Sequence, residues 1–354
     1  MFTADAHYGL ARATFRGERG VSAHVVNAAL VAGINRIVGL RIPDDGGVRA
    51  GRMVGAIDFV VEGGDIANRS EKGIQRAAAS WKEFAADYVD GISTHDHAGR
   101  RSALFVIPGN HDATNAIGFH TPLTPEHDAT AMVAIYNLMM APSPPRTNET
   151  FDYRRDRVHF SRNVGALHLL FVHLWPDSAE RAWLERDLRA VPPKRAVLLF
   201  AHDPPISDPR QFMSPGGDDD ASAPGWFENL LSEPLKDRYA DGWPTIIEQR
   251  ELVAFLKHHP NVRAWFHGHV NSSEAYTWRG PDGDIALPVV RADSPMKGKV
   301  SATDETKLSF EFIAIDAEAN RMTVREVLYN ATPGAPGAPD AMPRWGASTT
   351  VPLR

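Results

Sequence analysis

The segment Asn110-His111-Asp112 places an amide, an imidazole and a carboxylate side by side, directly after an apolar run. That run, residues 103–107, has the length and composition of a buried strand, and a Pro-Gly pair ends it. Open α/β sheets bind ligands at the carboxyl ends of their strands. An amide oxygen can bind a cation there, and an imidazole can protonate a leaving group. A carboxylate beside that imidazole could orient it.

Four other segments end apolar runs in the same way and also supply side chains that bind metals. In chain order they read D-x-H, G-D-x-x-N, a strand-end His and G-H-x-N, with the G-N-H-D segment between the second and the third. Their candidate ligands are Asp5, His7, Asp65, His202, His269 and Asn271. Because parallel strands bring their carboxyl ends to one edge of a sheet, we expect these side chains to lie together.

The order of these five motifs resembles that of the calcineurin-like metallophosphoesterase superfamily, over roughly residues 1–275. The resemblance implies an α/β (α+β) fold: a four-layer αββα sandwich of two mixed β-sheets flanked by helices. It also implies a dinuclear metal centre in which Asp65 bridges the two ions. Asp5 and His7 would hold the first ion. The second would be held by Asn110, His202 and His269.

The resemblance further implies metal-dependent hydrolysis of a phosphate mono- or diester. Two divalent ions about 3.5–4 Å apart lower the pKa of the water between them and offset the charge of the ester. The resulting bridging hydroxide would attack phosphorus, while His111, oriented by Asp112, would stabilise the transition state or protonate the leaving alkoxide. The chain has no cysteine, and nitrogen and oxygen ligands without thiolate suit Mn²⁺, Fe²⁺ or Fe³⁺, and Zn²⁺.

One position departs from the superfamily pattern. The last motif is usually G-H-x-H, and here its final residue is Asn271. The amide oxygen could still bind the first metal, but as a harder and weaker ligand than imidazole, which shifts the preference toward Mn²⁺ or Mg²⁺. His267 is a possible substitute at a position where the superfamily has no ligand. Asn271 also favours a rival hypothesis, a degenerate, non-catalytic member that binds metal or a partner.

Composition limits the partners of this protein. The chain has 354 residues, a formal net charge of −6 and 43% hydrophobic residues. The negative balance argues against nucleic acid or an anionic membrane as the main partner and favours a small phosphate ester. No apolar run approaches the roughly 20 residues of a membrane span. The pattern does not predict an oligomeric state.

The position of Asp5 bears on the location of the protein. A strand normally has about five residues, whereas only four residues precede Asp5. We therefore expect upstream residues, with a lost export signal as one hypothesis. Both a cytoplasmic and an exported protein remain open.

The sequence predicts one domain over residues 1–330 and a Pro/Gly-rich tail over residues 331–354 that is flexible or lies along the surface. Within the domain, residues 206–244 form a long polar stretch with little predicted structure, interpreted as a lid-like insertion or as a surface loop. The predicted helices are 22–38, 71–89, 124–140, 178–190 and 246–258.

Other charged segments are weaker candidates for function. Arg69, Arg154 or Arg155 could contact a phosphate, and residues 291–298 could either reach the site or form a surface loop. The runs His95-Asp96-His97 and Asp218–Asp220 could bind a cation, but both are typical of solvated loops.

Overall fold

The computed structural model describes residues 1–68, 75–113, 129–213, 230–236, 245–334 and 342–353. In chain order the strands are β1 (Phe2–Thr3), β2 (Ala11–Phe15), β3 (Glu18–Ser22), β4 (Phe59–Glu62), β5 (Ala103–Val106), β6 (Phe160–Val164), β7 (Leu167–Phe171), β8 (Ala196–Phe200), β9 (Val262–His267), β10 (Glu274–Trp278), β11 (Leu287–Arg291), β12 (Ser309–Asp316), β13 (Arg321–Leu328) and β14 (Arg344–Pro352). The α-helices are α1 (Ala23–Arg36), α2 (Ala77–Phe84), α3 (Asn110–Ala113), α4 (Thr130–Met140), α5 (Ser178–Leu188) and α6 (Ile246–His258).

The strands form two large mixed sheets with helices on their flanks, which confirms the predicted fold class. The first six-stranded sheet has the order β14-β13-β12-β1-β4-β5, and the second has the order β10-β11-β9-β8-β7-β6. Strands β2 and β3 form a separate hairpin. Strands β7 and β8 are buried along their whole length, as expected of apolar strands covered on both faces.

Aromatic side chains join the two sheets. The Phe2 ring of the first sheet lies 6.0 Å from that of Phe200 and 5.6 Å from that of Phe266, both in the second sheet. The Phe105 ring lies 4.9 Å from that of Phe171. These rings are buried, so the main hydrophobic core lies between the sheets and fixes their relative position.

The topology brings the predicted motifs to one end of the sandwich. Strands β1, β4 and β5 run parallel to one another in the first sheet, and β7, β8 and β9 do so in the second. The segments that follow β1, β4, β5, β8 and β9 carry the five motifs. The carboxyl ends of five strands therefore meet where the candidate side chains lie.

Most of the predicted helices are present with small differences in their ends. Helix α2 is shorter than predicted and continues as a π-helical segment over Ala85–Asp90. Residues 69–74 and 114–128, where two helix starts and Arg69 were considered, lie outside the described residues. In the part of the chain that the structure describes, no helix combines the length and apolarity needed to cross a bilayer.

The end of the chain is more ordered than its composition indicated. Strand β14 lies within the predicted tail and pairs antiparallel with β13, so residues 344–352 lie along the surface as the edge strand of the first sheet. The Trp345 ring packs edge-on against that of Phe312, with the centroids 5.3 Å apart. Many Pro and Gly residues lie just before β14, and they dominate the composition of the whole segment. A prediction from composition therefore does not detect the strand that follows them.

Two parts of the predicted insertion are described, residues 206–213 and 230–236, and both pack into the fold. Phe212 is fully buried, and its ring centroid lies 5.6 Å from that of Trp175. The amides of Leu230 and Leu231 both donate to the Gln211 carbonyl at 2.9 Å. These described parts therefore each contribute buried side chains to the fold. The rest of the insertion, including Asp218–Asp220, lies outside the described residues.

The first prediction concerns the ion pair between Asp45 and the buried guanidinium of Arg325. Asp45 accepts two hydrogen bonds of 2.8 Å from Arg325, whose side chain is 0% exposed. Asp45→Ala should destabilise the fold by about 3 kcal/mol, because it leaves a buried guanidinium without its carboxylate. Arg325 also holds the pKa of Asp45 well below its usual range, so this stabilisation is present above about pH 4 and is lost as the pH falls.

Urea unfolding measures this effect, and Asp282→Ala is the matched control. Asp282 makes the same two-fold contact with Arg250, with both bonds at 2.9 Å, but both side chains are 45% exposed. An exposed pair adds little to stability, so the control should unfold at nearly the wild-type urea concentration. Equal midpoints for the two variants would contradict the role of burial.

Candidate metal centre

The loops that follow β1 and β4 are joined by backbone hydrogen bonds. The Asp5 amide donates to the Gly64 carbonyl at 2.8 Å, and the His7 amide donates to the Asp65 carbonyl at 2.9 Å. This ladder extends the parallel pairing of β1 with β4 past the ends of both strands. It fixes the carboxylates of Asp5 and Asp65 next to each other.

Five of the predicted ligands have a left-handed backbone conformation, which costs energy for a residue with a side chain. The φ angles lie between 44° and 65° at Asp5, His7, Asp65, His269 and Asn271. Such strain persists only where the surrounding structure enforces it, and it is concentrated at functional sites. The side chains of Asp5, His7, Asp65 and His269 lie in the space between the motifs, whereas the Asn271 amide donates to the His269 carbonyl at 3.1 Å.

Gly109 permits the loop after β5 to approach Asp65 closely. A β-carbon at this position would lie 2.1 Å from Asp65 Oδ1 and 2.3 Å from the Asp65 nitrogen, which no side chain can tolerate. The His111 amide then donates to Asp65 Oδ1 at 2.8 Å. The glycine of the G-N-H-D motif is thus required by packing against the central carboxylate.

Asp65 is shared by two groups of side chains. On one side are His7 and His111, whose Nε2 atoms lie 3.7 Å and 4.0 Å from Asp65 Oδ2. On the other side, His202 Nε2 lies 3.4 Å from the same oxygen. The ligand atoms of Asp5, Asp65 and His202 lie within 4.8 Å of one another, as do those of His7, Asp65 and His111.

Asn110 connects His202 and His269. Its Oδ1 lies 3.2 Å from His202 Nε2 and 3.1 Å from His269 Nδ1. His202 Nδ1 donates to the Gly63 carbonyl at 2.8 Å, which leaves Nε2 as the atom facing the site. A second-sphere contact of this kind fixes the ring and the tautomer of a metal-binding histidine.

Buried atoms without partners test whether the site fits a metal. Among the residues described, neither ring nitrogen of His7 has a hydrogen-bond partner, nor does Asn271 Oδ1. Buried polar atoms are rarely left unsatisfied in proteins. His7 Nε2 lies 3.8 Å from Asp5 Oδ1 and 3.7 Å from Asp65 Oδ2, and nitrogen and oxygen donors are what borderline divalent ions accept. The residues present therefore fit a metal centre.

The charges and pKa values of the site also favour a bound metal ion. Burial, with Lys297 adding to it, lowers the pKa of His7 to about 3, so its ring is neutral and can bind a metal. Burial, with the negative charge of Asp65 adding to it, raises the pKa of Asp5 to about 7, although His202 acts to lower it. Burial also acts to raise the pKa of Asp65, yet His202 and His111 hold it well below its usual range. Adjacent buried carboxylates of this kind favour a bound cation.

Comparison with known proteins identifies the family. The sequence profile described as calcineurin-like phosphoesterase matches residues 34–273, which is more than half of the chain. The chain belongs to the calcineurin-like phosphoesterase family. At the level of the family it is a metal-dependent phosphoesterase that uses divalent ions. Asp5 and His7 lie before the matched residues, so their place in the site rests on the geometry above.

Solved structures are similar to this chain in fold. A dimetal phosphatase from Danio rerio is 11% identical, with 92% of this chain and 94% of that chain covered and a TM-score of 0.51. A phosphopantetheinyl hydrolase from Mycobacterium tuberculosis is 10% identical, with 83% and 89% covered and a TM-score of 0.32. A search of curated proteins found no match. At these identities only the fold of the first structure is informative.

One member of the calcineurin-like motif set has contacts other than those predicted. Asp112 was expected to orient His111, but its carboxylate accepts backbone hydrogen bonds from Ile66 at 3.1 Å, Ala67 at 2.8 Å and Gly109 at 2.9 Å. It thereby fastens the loop after β4 to the loop after β5. Burial raises the pKa of Asp112 to about 7. In this phosphoesterase Asp112 positions the backbone that carries Asp65.

Sequence reasoning underrated one residue of the site and missed two others. Lys297 belongs to segment 291–298, and its Nζ lies 3.4 Å from His111 Nε2 and 3.4 Å from Asn68 Oδ1. Asp208 Oδ2 lies 3.3 Å from His269 Nε2, and Asp203 Oδ1 lies 3.9 Å from His269 Nδ1. Asp203 directly follows the strand-end His202, and that position was the only signal available for it.

The other residues that the sequence suggested for metal or phosphate binding lie outside the candidate metal centre. His267 is buried, with Nε2 3.1 Å from the Tyr276 hydroxyl, and it does not join the ligand clusters formed by the described residues. Arg154 and Arg155 are exposed, and Arg155 lies 3.5 Å from Asp152. His97 Nδ1 lies 2.7 Å from Asp58 Oδ1, near the surface. These residues are not part of the candidate metal centre.

Proposed function

We propose that this protein hydrolyses a small phosphate ester at a dinuclear metal centre. The observation that supports the proposal is the sharing of Asp65 Oδ2 between the His7 and His111 side and the His202 side. Asp5, His7 and Asn271 would hold the first ion, Asn110, His202 and His269 the second, and Asp65 both. When bound, the ions would activate a water and offset the negative charge of the ester. Mn²⁺, Fe²⁺ or Fe³⁺, and Zn²⁺ all suit these ligands.

His111 is proposed as the residue that acts on the leaving group. Its side chain is 17% exposed, the most open of the three histidines around Asp65, so a substrate can reach the ring. Its Nε2 lies 3.4 Å from Lys297 Nζ. An imidazole held beside a cationic group can stabilise negative charge in the transition state or donate a proton to the leaving oxygen.

Lys297 is proposed to bind the phosphate and to favour monoesters over diesters. A monoester carries close to two negative charges near neutral pH, whereas a diester carries one, so a positive charge attracts the monoester more strongly. Lys297 is part-buried at the site, where screening by water is weaker than at the surface. The substrate class that the geometry supports best is therefore a small phosphomonoester.

The ester preference and its loss in Lys297→Met test this assignment. With metal-saturated protein, we expect a higher kcat/KM for p-nitrophenyl phosphate than for bis-p-nitrophenyl phosphate. In Lys297→Met, the value for the monoester should fall about 10–100-fold and that for the diester by less, since a charged hydrogen bond is worth roughly 1.5–3 kcal/mol. Lys299→Met, two residues along the chain, is the control. Equal losses for the two esters would contradict a role of Lys297 in selecting a monoester.

We also propose that the first described part of the insertion, residues 206–213, borders the site. Asp208, within the insertion, contacts His269 and also accepts bonds from the Arg210 side chain. The carboxylate therefore links the insertion to a proposed metal ligand.

Asp208→Asn should lower metal affinity about 10–100-fold, the usual effect of removing a carboxylate behind a metal-binding histidine. Arg210→Met is the control, because it removes the other partner of Asp208 and leaves the contact with His269. Metal titration followed by activity measures both. Wild-type metal affinity in Asp208→Asn would contradict the role of Asp208 in supporting His269. An equal loss of metal affinity in Arg210→Met would contradict it as well.

A further inference from the structure

Three further side chains that can bind a metal lie together, away from the candidate metal centre. Glu185 lies near the carboxyl end of α5, and His258 and His259 lie at the carboxyl end of α6. One ligand atom from each of the three lies within 4.8 Å of the others. These residues are called the helix-end cluster. Its two histidines precede β9, whereas His269 follows it, so the length of that strand, about 20 Å, separates the cluster from the metal centre.

The two histidine rings of the helix-end cluster have the mutual orientation found in the candidate metal centre. Their centroids are 4.9 Å apart and their planes cross at 89°. In the metal centre, the rings of His7 and His111 are 4.8 Å apart at 81°. Those of His202 and His269 are 5.3 Å apart at 83°. Rings that meet edge to face can each direct a nitrogen toward one point, which parallel stacked rings cannot do.

One ring nitrogen of the cluster is buried without a hydrogen bond. His259 Nε2 lies 2.9 Å from Glu185 Oε1, but the contact is not aligned as a hydrogen bond, and this nitrogen has no other partner among the described residues. A buried polar atom in this state costs free energy. Two ligands of one tetrahedral zinc ion lie about 3.3 Å apart. The nitrogen and the carboxylate are therefore within a few tenths of an ångström of the separation that a shared ion requires.

The surroundings of the cluster favour a cation. The last carbonyl groups of a helix carry partial negative charge, and the carboxylate of Glu185 adds to it. The neighbouring Lys257 forms an ion pair with Asp284, so a carboxylate offsets its positive charge. The His259 ring also packs against the Phe255 ring, with the centroids 4.7 Å apart, which holds the imidazole in place before an ion binds.

We propose that the helix-end cluster is a second metal site, which binds one zinc ion and joins α5 to the carboxyl end of α6. Two imidazole nitrogens and one carboxylate oxygen are ligands that zinc accepts, and a water would complete a tetrahedral set. Mg²⁺ and Ca²⁺ prefer oxygen ligands throughout, so the site selects against them. His258 is exposed, and Glu185 and His259 are half-buried. An ion can therefore reach the site without opening the fold.

A metal at this position would act on the two helices that hold part of the insertion. Asp177, the residue before α5, accepts a bond of 2.8 Å from the Ser232 amide. Glu248 of α6 accepts a bond of 2.7 Å from the Lys236 amide. Residues 230–236 therefore contact both helices. By fixing the helices to each other, the ion would stabilise the contacts of this segment.

Zinc binding to the wild-type protein, Glu185→Gln and His258→Ala tests the proposal. Equilibrium dialysis of metal-stripped full-length protein against a series of zinc concentrations, with bound zinc counted by elemental analysis, gives the affinity of each ion. One zinc per chain should bind at least about 100-fold more weakly in each variant, because removing even an outer partner of a zinc ligand costs 10–100-fold. Zinc should also slow amide exchange at residues 255–259 about tenfold or more in the wild-type protein only.

His97→Ala is the matched control. His97 Nδ1 lies 2.7 Å from Asp58 Oδ1, so it also pairs with a carboxylate, but it belongs to no three-residue ligand cluster of the described part of the chain. This variant should bind zinc as the wild-type protein does. Unchanged zinc affinity in Glu185→Gln and His258→Ala would overturn the proposal. So would an equal loss in His97→Ala, or the same slowing of exchange in all the proteins.

Discussion

Asp65→Asn should abolish metal-dependent turnover, with a loss of about a thousandfold or more in kcat/KM. Asp65 Oδ2 lies 3.7 Å from His7 Nε2 and 3.4 Å from His202 Nε2, so one carboxylate serves both proposed ion positions. An amide of the same shape keeps an acceptor for the His111 amide, which now bonds Asp65 Oδ1 at 2.8 Å. It cannot bridge two cations as a carboxylate does. Hydrolysis of p-nitrophenyl phosphate and elemental analysis measure the two effects.

Asp87→Asn is the control for Asp65→Asn. Asp87 is also a buried carboxylate, 7% exposed, and it accepts a bond of 2.8 Å from the Tyr8 hydroxyl, away from the ligand clusters. This variant should keep its metal and its turnover even if its stability falls. Wild-type activity in metal-loaded Asp65→Asn would contradict the proposed centre.

His111→Ala should keep its metal but lose about 10²–10⁴-fold in kcat, the usual contribution of a positioned acid or base. The size of the loss should depend on the leaving group. An alkoxide needs a proton far more than p-nitrophenolate does, so the loss should be larger for an alkyl phosphate than for p-nitrophenyl phosphate. Steady-state kinetics at saturating metal, with both substrates, measures the difference.

The control for His111→Ala is His168→Ala. His168 is a buried histidine whose Nε2 lies 2.6 Å from Asp187 Oδ1, outside the site. Its removal should leave kcat unchanged at saturating metal. If His111→Ala lost equally with both leaving groups, His111 would stabilise charge and would not donate the proton. Full activity of the variant would remove His111 from the mechanism.

The strand-end motifs could be predicted because two local signals coincide in them. An apolar run indicates a buried strand. A polar residue directly after the run then lies at the carboxyl end of that strand, independently of the rest of the fold. This is why the pattern brought Asp65, Asn110 and His202 together, whereas the two sheets were expected from the resemblance to the superfamily. The left-handed backbone at Asp5 and Asp65 has no such signal, since it depends on the ladder between two distant loops.

Adjacency in sequence misled the prediction for Asp112. It lies in the short helix α3 with His111, and consecutive residues of a helix point in different directions. His111 therefore turns toward Asp65 while Asp112 turns toward the backbone of the neighbouring loop. A sequence motif gives the residues of a site but not the direction in which each side chain points.

Lys297 could not be placed from the sequence because tertiary packing brings it to the site. Ser294 Oγ donates to the Asp5 carbonyl at 2.8 Å, and the Lys297 amide donates to the same Oγ at 2.9 Å. One hydroxyl thus joins the turn at 294–297 to the loop after β1, and that contact spans most of the chain. Asp208 depends in the same way on the packing of the insertion around His269.

The most direct test of the central claim is reconstitution of metal-stripped protein. Mn²⁺, Zn²⁺, Fe²⁺ and Mg²⁺ are added in turn, with p-nitrophenyl phosphate as substrate and bound metal counted by elemental analysis. We expect no turnover in the stripped protein, and turnover that returns as two ions bind per chain. Two bound ions without turnover on this or the diester substrate would contradict it and favour a non-catalytic member of the family.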